Sequence, residues 1–568
     1  MRSNAVWRLR LVALLMFFGG LSLLTKLFFV TVVRGEYYAD EATLQVTGDK
    51  SLFNRGSIFF SEKNGNLVSV ATLQNGYTLA INPSLTAEPE ELFEKLASLV
   101  TLDKDIFLKR ASKKNDPYEE IATRLTEEQA QAIKNLKEVG VILIPTRWRF
   151  YPAGERAAQV VGFVGYEKDE LTGLYGLEQQ YNTVLKRRPA LSFSDFFAEL
   201  FNGVTQGWLG GTVEGEGDIV TTIEPSVESF VEGELKILNE IWHPKQLGAI
   251  IMDPQTGAIK AMASLPTFDP GAKQTDLSLL KNPLVENVYE MGSVVKPLTI
   301  AAAIDDGVIT PESTYNDKGF LMFEDKRIGN YDGVGRGEIN FQQVLNQSLN
   351  TGAVEAMQRL GAVKFQNYFY AYGLENKTGI DLPNEAKGLL GNLESGRAVE
   401  FATASFGQGI ALSPIAITRA FAVLANGGYL VTPHLAQKIN YDSQISENVE
   451  PSRDRQILKN ETSETITKML VEVVDSSLQN GKVKNEHYSV AAKTGTAQLV
   501  DNEGGGGYYK DRFLHSFFGY FPASKPQFLV FLLMVDPKNV TYASQTLTDP
   551  FIKISKFLIN YYQIPPDR

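Results

Sequence analysis

Two residues of types that serve in catalysis stand three positions apart in this chain. Ser293 and Lys296 form an S-x-x-K motif, and side chains at that spacing share one face of a helix, where the amine can take the hydroxyl proton. By composition alone about two such matches are expected by chance, and a second one, Ser278 with Lys281, is present. That copy runs into Pro283, and the residue before a proline is biased away from helical backbone. Ser293 is therefore the predicted nucleophile.

A second and a third motif supply partners for such a nucleophile. Ser348 and Asn350 form an S-x-N, with a hydroxyl for proton relay and an amide for holding a peptide bond. The third motif is Lys493-Thr494-Gly495-Thr496, in which lysine and threonine suit a carboxylate and glycine lets a substrate backbone approach. Each is weak alone, because S-x-N recurs at 446–448 and K-T-G at 377–379. The ordered set S-x-x-K, S-x-N, K-T-G predicts serine acyl transfer.

The pattern around the motifs predicts the elements that position them. Gly292 permits a tight turn before Ser293, and residues 298–306 continue as a helix that Gly307 closes. The nucleophile is therefore expected at a helix N-terminus, where the helix dipole favours developing negative charge. The third motif follows a predicted strand at 488–492.

The rest of the chain indicates more than one domain. Residues 55–83 predict short strands and turns, and residues 85–138 predict helices. Residues 186–217 carry no periodic core pattern and end in a Gly-rich acidic run, so we place a boundary near 217. After it, apolar runs at 247–252 and 259–263 flank a turn and predict a hairpin that opens a large second domain.

Composition excludes several classes of function. A chain of 568 residues is long enough for several domains. A net charge of -11 without a basic stripe opposes binding to nucleic acid. The lack of cysteine excludes disulfides, thiolate nucleophiles and cysteine metal sites, and none of the four histidines forms a metal-binding pair. We expect neither a metal nor a cofactor.

Residues 11–33 are long and apolar enough to span a bilayer as a helix. Arginines precede this segment and acidic residues soon follow it, which predicts a cytoplasmic tail at 1–10 and a catalytic part outside the membrane. A cleaved signal peptide is the alternative, but the run exceeds the usual apolar core and lacks an A-x-A site. Lys26, inside the segment, either snorkels to the outer surface or meets a polar group on a partner helix.

Further segments give the chain a family resemblance: 289–293 (YEMGS), 263–270 (ASLPTFDP), 406–410 (FGQGI), 378–383 (TGIDLP), 55–58 (RGSI), 151–154 (YPAG), 161–165 (VGFVG) and 175–178 (YGLE). With the three motifs, they resemble the penicillin-binding proteins, specifically the class B transpeptidases, over nearly the whole chain after residue 50. Two features depart from the family: Val294 and Val295, where many members have smaller or polar residues, and the stretch at 186–217.

The resemblance implies an α+β fold, in which a five-stranded, mainly antiparallel sheet flanked by helices stands on an elongated α+β pedestal. The implied division is a cytoplasmic tail at 1–10, a transmembrane helix at 11–33, a dimerisation-type pedestal at 34–217 and a transpeptidase domain at 218–568.

The resemblance also implies residue roles. Ser293 is expected to attack the penultimate D-alanyl carbonyl of a peptidoglycan stem peptide, with Lys296 as base and the backbone N–H groups of Ser293 and Thr496 as oxyanion hole. Ser348 and Asn350 are expected to relay a proton and position the peptide. The substrate carboxylate, or that of a β-lactam, is expected to bind Lys493, Thr494 and Thr496.

The expected cellular role is septal cross-linking in the cytoplasmic membrane, with divisome proteins and a membrane-embedded glycan polymerase as partners, because no glycosyltransferase motif is recognisable in residues 34–217. The alternatives are an elongation transpeptidase, a D,D-carboxypeptidase, a serine β-lactamase and a non-catalytic β-lactam receptor.

Overall fold

The computed structural model describes residues 53–168, 170–187, 215–323, 326–441, 445–501 and 507–568, together with positions 14, 16–18 and 20. Across these residues, no helix is both long enough and apolar enough to span a membrane. The tail predicted at 1–10 lies outside the described residues, as do most of the spanning segment predicted at 11–33 and most of the stretch at 186–217.

From residue 53 onward, the described parts of the chain alternate between β-strands and α-helices. The strands are β1 (Ile58–Ser61), β2 (Leu67–Ile81), β3 (Glu119–Leu125), β4 (Val141–Phe150), β5 (Val164–Glu167), β6 (Glu170–Gly173), β7 (Gly217–Thr221), β8 (Gln246–Met252), β9 (Ile259–Leu265), β10 (Thr314–Asp317), β11 (Phe320–Phe323), β12 (Lys326–Gly329), β13 (Gly337–Asn340), β14 (Tyr429–Val431), β15 (Ala436–Tyr441), β16 (Ser446–Asn448), β17 (Arg453–Gln456), β18 (Ala491–Val500), β19 (Tyr508–Phe521) and β20 (Phe528–Val535). The helices are α1 (Pro89–Ala97), α2 (Lys104–Ala111), α3 (Glu127–Leu136), α4 (Ala158–Val161), α5 (Gly176–Gln180), α6 (Asn182–Leu185), α7 (Pro225–Trp242), α8 (Pro283–Glu286), α9 (Lys296–Asp305), α10 (Phe341–Asn346), α11 (Asn350–Leu360), α12 (Ala362–Ala371), α13 (Ala398–Ala404), α14 (Pro414–Ala425), α15 (Asn460–Glu472), α16 (Ala543–Thr546) and α17 (Thr548–Tyr562).

The chain forms two compact units that are not continuous in sequence. Among the described residues, the smaller unit is built mainly from Leu73–Trp148. The larger unit combines Gly56–Thr72 and Arg149–Lys186 with the chain after residue 214. The boundary predicted near 217 falls at the start of strand β7.

In the smaller unit, the second half of β2 pairs antiparallel with β3, and helices α1, α2 and α3 supply apolar residues to a core with this sheet. Phe93 of α1 contacts Phe107 of α2, with ring centroids 5.6 Å apart. Helix α3 begins at a capping box formed by Thr126 and Gln129, which satisfies two backbone N–H groups. The strands predicted for 55–83 are confirmed, and so are helices within 85–138, but that second range also contains the strand β3, which was not predicted.

The larger unit is organised by a five-stranded sheet in the order β18-β19-β20-β8-β9. Each neighbouring pair in it is antiparallel, which confirms the predicted sheet and the predicted β8–β9 hairpin. Successive side chains of a strand face opposite sides of a sheet. Accordingly, Phe518 stacks on Phe421 of α14 at a centroid distance of 3.7 Å, whereas its neighbour Phe517 packs against Phe551 of α17 at 4.5 Å. Both faces of the sheet are thus covered by helices.

A second sheet of the larger unit contains β1, β7, β15 and β16. Strand β1 pairs in parallel with β7, placing Ile58 beside Ile219, and β7 pairs antiparallel with β15. Ile58 and Phe60 of β1 are buried in the same apolar core that contains Leu298 of α9. Early and late parts of the chain therefore share one core.

Candidate active site

The predicted nucleophile lies in a single 3-10 turn, Gly292–Val295, that leads directly into α9. Gly292 adopts a φ of +65°, which confirms the tight turn predicted there. Ser293 is partly exposed, whereas Lys296, the first residue of the α-helix, is completely buried. The nucleophile thus precedes the α-helix by one tight turn, and its S-x-x-K partner projects into the protein.

The two valines that depart from the family pattern are packing residues. A side chain at Gly495 would approach Cγ1 of Val294 to 2.9 Å, and one at Gly407 would approach Cγ2 of Val295 to 2.8 Å. Glycines on β18 and after α13 therefore make room for branched side chains on the nucleophile turn. Gly495 was predicted to admit a substrate backbone; the space that its side chain would fill is taken by Val294 and the Ser516 hydroxyl.

The second motif lies between α10 and α11. Ser348 adopts a left-handed backbone conformation, with a φ of +55°. This conformation is uncommon for a residue other than glycine, and strain of this kind concentrates at functional sites. Asn350 is the first residue of α11, and its side-chain amide donates a hydrogen bond of 2.8 Å to the carbonyl of Gly329.

The three motifs meet at the Ser348 hydroxyl. Lys493 Nζ donates to Ser348 Oγ at 3.0 Å, and Lys296 Nζ lies 3.2 Å from the same oxygen. Lys296 also donates to the Ser348 carbonyl oxygen. One residue from each motif, Lys296, Ser348 and Lys493, is therefore in direct contact with another.

Burial sets the protonation of this cluster. Lys493 is only 3% exposed, and its burial lowers its pKa to about 7. Burial, and then the charge of Lys493, hold the pKa of Lys296 well below its ordinary value. Two adjacent buried ammonium groups repel each other, so the more buried amine, Lys296, is the one that loses its proton. A neutral amine next to the nucleophile turn is a competent general base.

The third motif lies inside strand β18, at the edge of the five-stranded sheet. Thr494 is partly exposed, and Thr496 Oγ accepts a hydrogen bond of 3.0 Å from the backbone N–H of Ala543 at the start of α16. The predicted strand at 488–492 begins later than expected, at Ala491, and continues through the motif. The motif therefore lies within the edge strand itself instead of following the strand.

Several residues that support the site were not predicted. Thr351 Oγ donates to Asp317 at 2.8 Å, and Asn330 donates to the same carboxylate, which fixes the start of α11 behind Asn350. His515 is fully buried, 2.9 Å from the Thr546 hydroxyl and 3.0 Å from the Thr541 carbonyl. These contacts join residues far apart in sequence and have no local signature.

Two exposed tyrosines face each other near the motifs. The ring centroids of Tyr331 and Tyr542 are 6.2 Å apart in an edge arrangement. Tyr331 follows Asn330 beside the second motif, and Tyr542 precedes Ala543, which contacts Thr496 of the third. The pair thus links the loops that flank these two motifs.

The competing sequence matches lie elsewhere. Ser278 is exposed in a 3-10 turn capped by Asp276. Ser446–Asn448 forms the exposed edge strand β16, and Lys377 lies in a loop, as predicted. In the described part of the chain, no group of three or more His, Cys, Asp or Glu residues could hold a metal ion.

Comparison with known proteins gives the same family as the sequence motifs. A family model for the penicillin binding protein transpeptidase domain matches residues 247–555, and one for the penicillin-binding protein dimerisation domain matches residues 52–192. Stage V sporulation protein D of Bacillus subtilis (strain 168) is 31% identical, covering 97% of this chain and 85% of the relative. Peptidoglycan D,D-transpeptidase FtsI of Buchnera aphidicola (subsp. Schizaphis graminum) is 26% identical, covering 99% and 96%.

The fold is also shared with solved structures. Penicillin binding protein 2X from Streptococcus thermophilus superimposes with a TM-score of 0.72 at 20% identity, over 90% of this chain and 81% of that one. The transpeptidase match spans more than half of the chain and includes all three motifs. The chain therefore belongs to the penicillin-binding protein transpeptidases, and its serine, lysine and hydroxyl cluster occupies the domain that defines them.

Proposed function

We propose that the chain is a peptidoglycan D,D-transpeptidase in which Ser293 carries the acyl group. One observation supports this above the others: Lys296 and Lys493 converge on the Ser348 hydroxyl, and Lys296 is buried so deeply that its neutral form is favoured. That arrangement provides a base, a proton relay and a cation beside one serine-bearing turn.

In the first half-reaction, the Ser293 oxygen bonds to the penultimate D-alanyl carbonyl carbon while neutral Lys296 accepts the hydroxyl proton. Collapse of the tetrahedral intermediate breaks the peptide bond. The proton passes from Lys296 through Ser348 to the leaving nitrogen, and D-alanine departs. We assign the oxyanion to the backbone N–H groups of Ser293 and Thr496.

In the second half-reaction, the amine of another stem peptide attacks the acyl ester. The amine loses a proton to the same relay, the C–O bond to Ser293 breaks, and the serine oxygen regains its proton. A peptide cross-link forms and the cluster returns to its starting protonation. Atoms and charges therefore balance without a cofactor.

The remaining motif residues bind substrate in this proposal. Protonated Lys493 and the hydroxyls of Thr494 and Thr496 hold the terminal carboxylate, while Asn350 holds a peptide group. Gly495 serves indirectly, because it allows the nucleophile turn to pack against β18.

Labelled penicillin tests the assignment. Peptide mapping is expected to find the adduct on the Ser293 peptide and none in Ser293→Ala. Ser278→Ala is the matched control, since it removes the serine of the other S-x-x-K pair and is expected to label as the native chain does. An adduct on Ser278, or rapid hydrolysis of penicillin, would overturn the proposal in favour of a different nucleophile or a β-lactamase.

We further propose a single membrane anchor at 11–33 and a septal role with a glycan polymerase as partner. The support is the apolar run, the charge bias around it and the similarity to FtsI. Depletion from a rod-shaped source cell is expected to give filaments with incomplete septa. Rounded cells that still divide would indicate elongation, and a defect confined to sporulation would indicate a role like that named for the Bacillus subtilis relative.

A further inference from the structure

A large cavity lies in the larger unit, the catalytic unit that carries the three motifs. Its volume is about 1020 Å³, and its lining includes none of the eight motif residues. It is framed by the turn after β8 at Asp253, the end of α14 at Asn426, one side of α15, the turn between β19 and β20 at Lys525, and Tyr562. A cavity of this size exceeds what a single small metabolite fills.

Three lysines line this cavity: Lys260, Lys468 and Lys525. Over the residues that the structure describes, none of their ammonium groups has a hydrogen bond or an ion pair. Lys260, on strand β9, is the most buried of the three, and burial lowers its pKa despite the opposing charges of Asp253 and Glu224. Lys468 and Lys525 are exposed, but the partly buried ammonium of Lys260 lacks a close partner, which is unfavourable, and a ligand carboxylate would supply one.

The cavity also has acidic and aromatic groups. Asp253, Glu464 and Glu472 match the three lysines in number, so the lining as a whole is close to neutral. A neutral but strongly charged lining disfavours a polyanion and favours a ligand with charges of both signs. Tyr562, which is partly exposed, adds ring surface of the kind that packs against sugar or alkyl groups.

We propose that this cavity is a second binding site for peptidoglycan, which takes the zwitterionic stem peptide of an uncross-linked strand. The lysines would bind the peptide carboxylates and the acidic residues would bind its free amine. The identity of the ligand rests on the proposed function, because the peptide is the substrate class of the Ser293 site. The cavity would therefore hold an uncross-linked strand on the same unit that carries the cross-linking site.

The test separates the two sites by blocking one of them. The full chain is acylated with unlabelled penicillin and titrated calorimetrically with a synthetic disaccharide-pentapeptide that carries a free side-chain amine. Saturable binding to the acylated protein is expected. The double variant Lys260→Gln, Lys468→Gln should bind about tenfold or more weakly, since charged hydrogen bonds are lost. Lys556→Gln, an exposed lysine of α17 outside the cavity, is the matched control and should bind normally.

Two results would overturn the proposal: no saturable binding to the acylated protein, or equal affinity in the double variant and Lys556→Gln. Fluorescent penicillin labelling of each unblocked variant at the native rate shows that the fold is intact. The position of the penicillin adduct reports separately on the proposed function. An adduct away from Ser293 contradicts the proposed function. An adduct on Ser293 without peptide binding contradicts only the proposed second binding site.

Discussion

Ser348 connects the three motifs at the scale of single residues. Its hydroxyl contacts both lysines, and its left-handed backbone aims that hydroxyl between them. Burial affects the two lysines differently: it lowers the pKa of Lys493 to about 7, and, with the charge of Lys493, it holds the pKa of Lys296 well below its ordinary value. The cluster therefore offers Lys296 as the base and, below about pH 7, protonated Lys493 as the cation, which is the pairing that acyl transfer to a carboxylate-bearing substrate needs.

Acylation is expected to weaken as the pH rises through about 7, where Lys493 loses its proton. A neutral Lys493 no longer attracts the carboxylate of penicillin, whereas Lys296, whose pKa burial holds well below its ordinary value, keeps its function as base. In Lys493→Met the acylation rate should no longer fall as the pH rises through about 7. The rate itself should be lower by about a hundredfold, the usual effect of one strong electrostatic contact. Stopped-flow acylation from pH 6 to 9 measures both. If the native acylation rate does not change with pH, or if the same fall persists in Lys493→Met, then Lys493 is not the group that titrates.

His515 gives a second pH dependence, this time in stability. Burial lowers its pKa to about 4, from an ordinary value of 6.5, so the unfolded chain binds more protons between these values. Its contribution is complete above pH 6.5 and is lost as the pH falls toward 4, by roughly 3 kcal/mol at most. Urea unfolding from pH 4.5 to 7.5 should show a shallower slope for His515→Gln. The exposed His487→Gln should keep the native slope, and equal slopes in all three proteins would refute the effect.

At the scale of elements, the nucleophile turn is held by two glycine-containing segments. The N–H of Gly292 donates to the carbonyl of Gly407 at 3.1 Å, and Thr299 of α9 donates to the carbonyl of Ser405 at 2.7 Å. The segment after α13 thus fixes both the turn and the helix that follows. Strand β18 fixes the turn from the other side through Gly495.

Gly407→Ala is expected to damage this arrangement. The added Cβ would lie 2.3 Å from the Gly292 carbonyl oxygen, and the φ of +81° is unfavourable for alanine. We expect a loss of more than about 1 kcal/mol in unfolding free energy and at least about a tenfold slower acylation, because the turn must shift. Urea unfolding and penicillin kinetics measure these effects.

Gly391→Ala is the matched control for that substitution. A Cβ at Gly391 would meet nothing within 4 Å, and its φ lies outside the left-handed region. Its stability should stay within about 0.5 kcal/mol of the native chain. Comparable losses at both positions would mean that the close contact at Gly407 is not what makes it sensitive.

These elements show what sequence can and cannot predict. The S-x-x-K spacing, the turn at Gly292 and the β8–β9 hairpin are local patterns, and the structure has all three. The contacts of Gly407 with Gly292 and of His515 with Thr541 join distant segments. Such contacts leave no periodicity to detect, so only the folded chain reveals them.

At the scale of the whole molecule, the catalytic unit includes strands and helices from the N-terminal half of the chain. Strand β1 pairs with β7, and Ile58 and Phe60 enter the core that also holds the nucleophile turn. Arg149 and Glu178 form a buried ion pair with an N···O distance of 2.6 Å, and Arg149 also donates to the Gly56 carbonyl. Nothing in the residue types or spacing of 56–72 and 149–186 indicates that these segments pack in the unit formed by the chain after residue 214.

A chain shortened to residues 215–568 is therefore expected to fold poorly, although it contains every motif residue. The loss removes β1 and exposes buried side chains, each worth about 2 kcal/mol, against a typical total stability of 5–15 kcal/mol. The matched control is residues 53–568, which keeps Gly56–Thr72 and Arg149–Lys186 and should remain monomeric and label with fluorescent penicillin. Size-exclusion chromatography and the labelling rate compare the two chains. Equal labelling by a monomeric 215–568 chain would show that β7 and the five-stranded sheet fold without β1. Residues 56–72 and 149–186 would then be unnecessary for the stability of the larger unit.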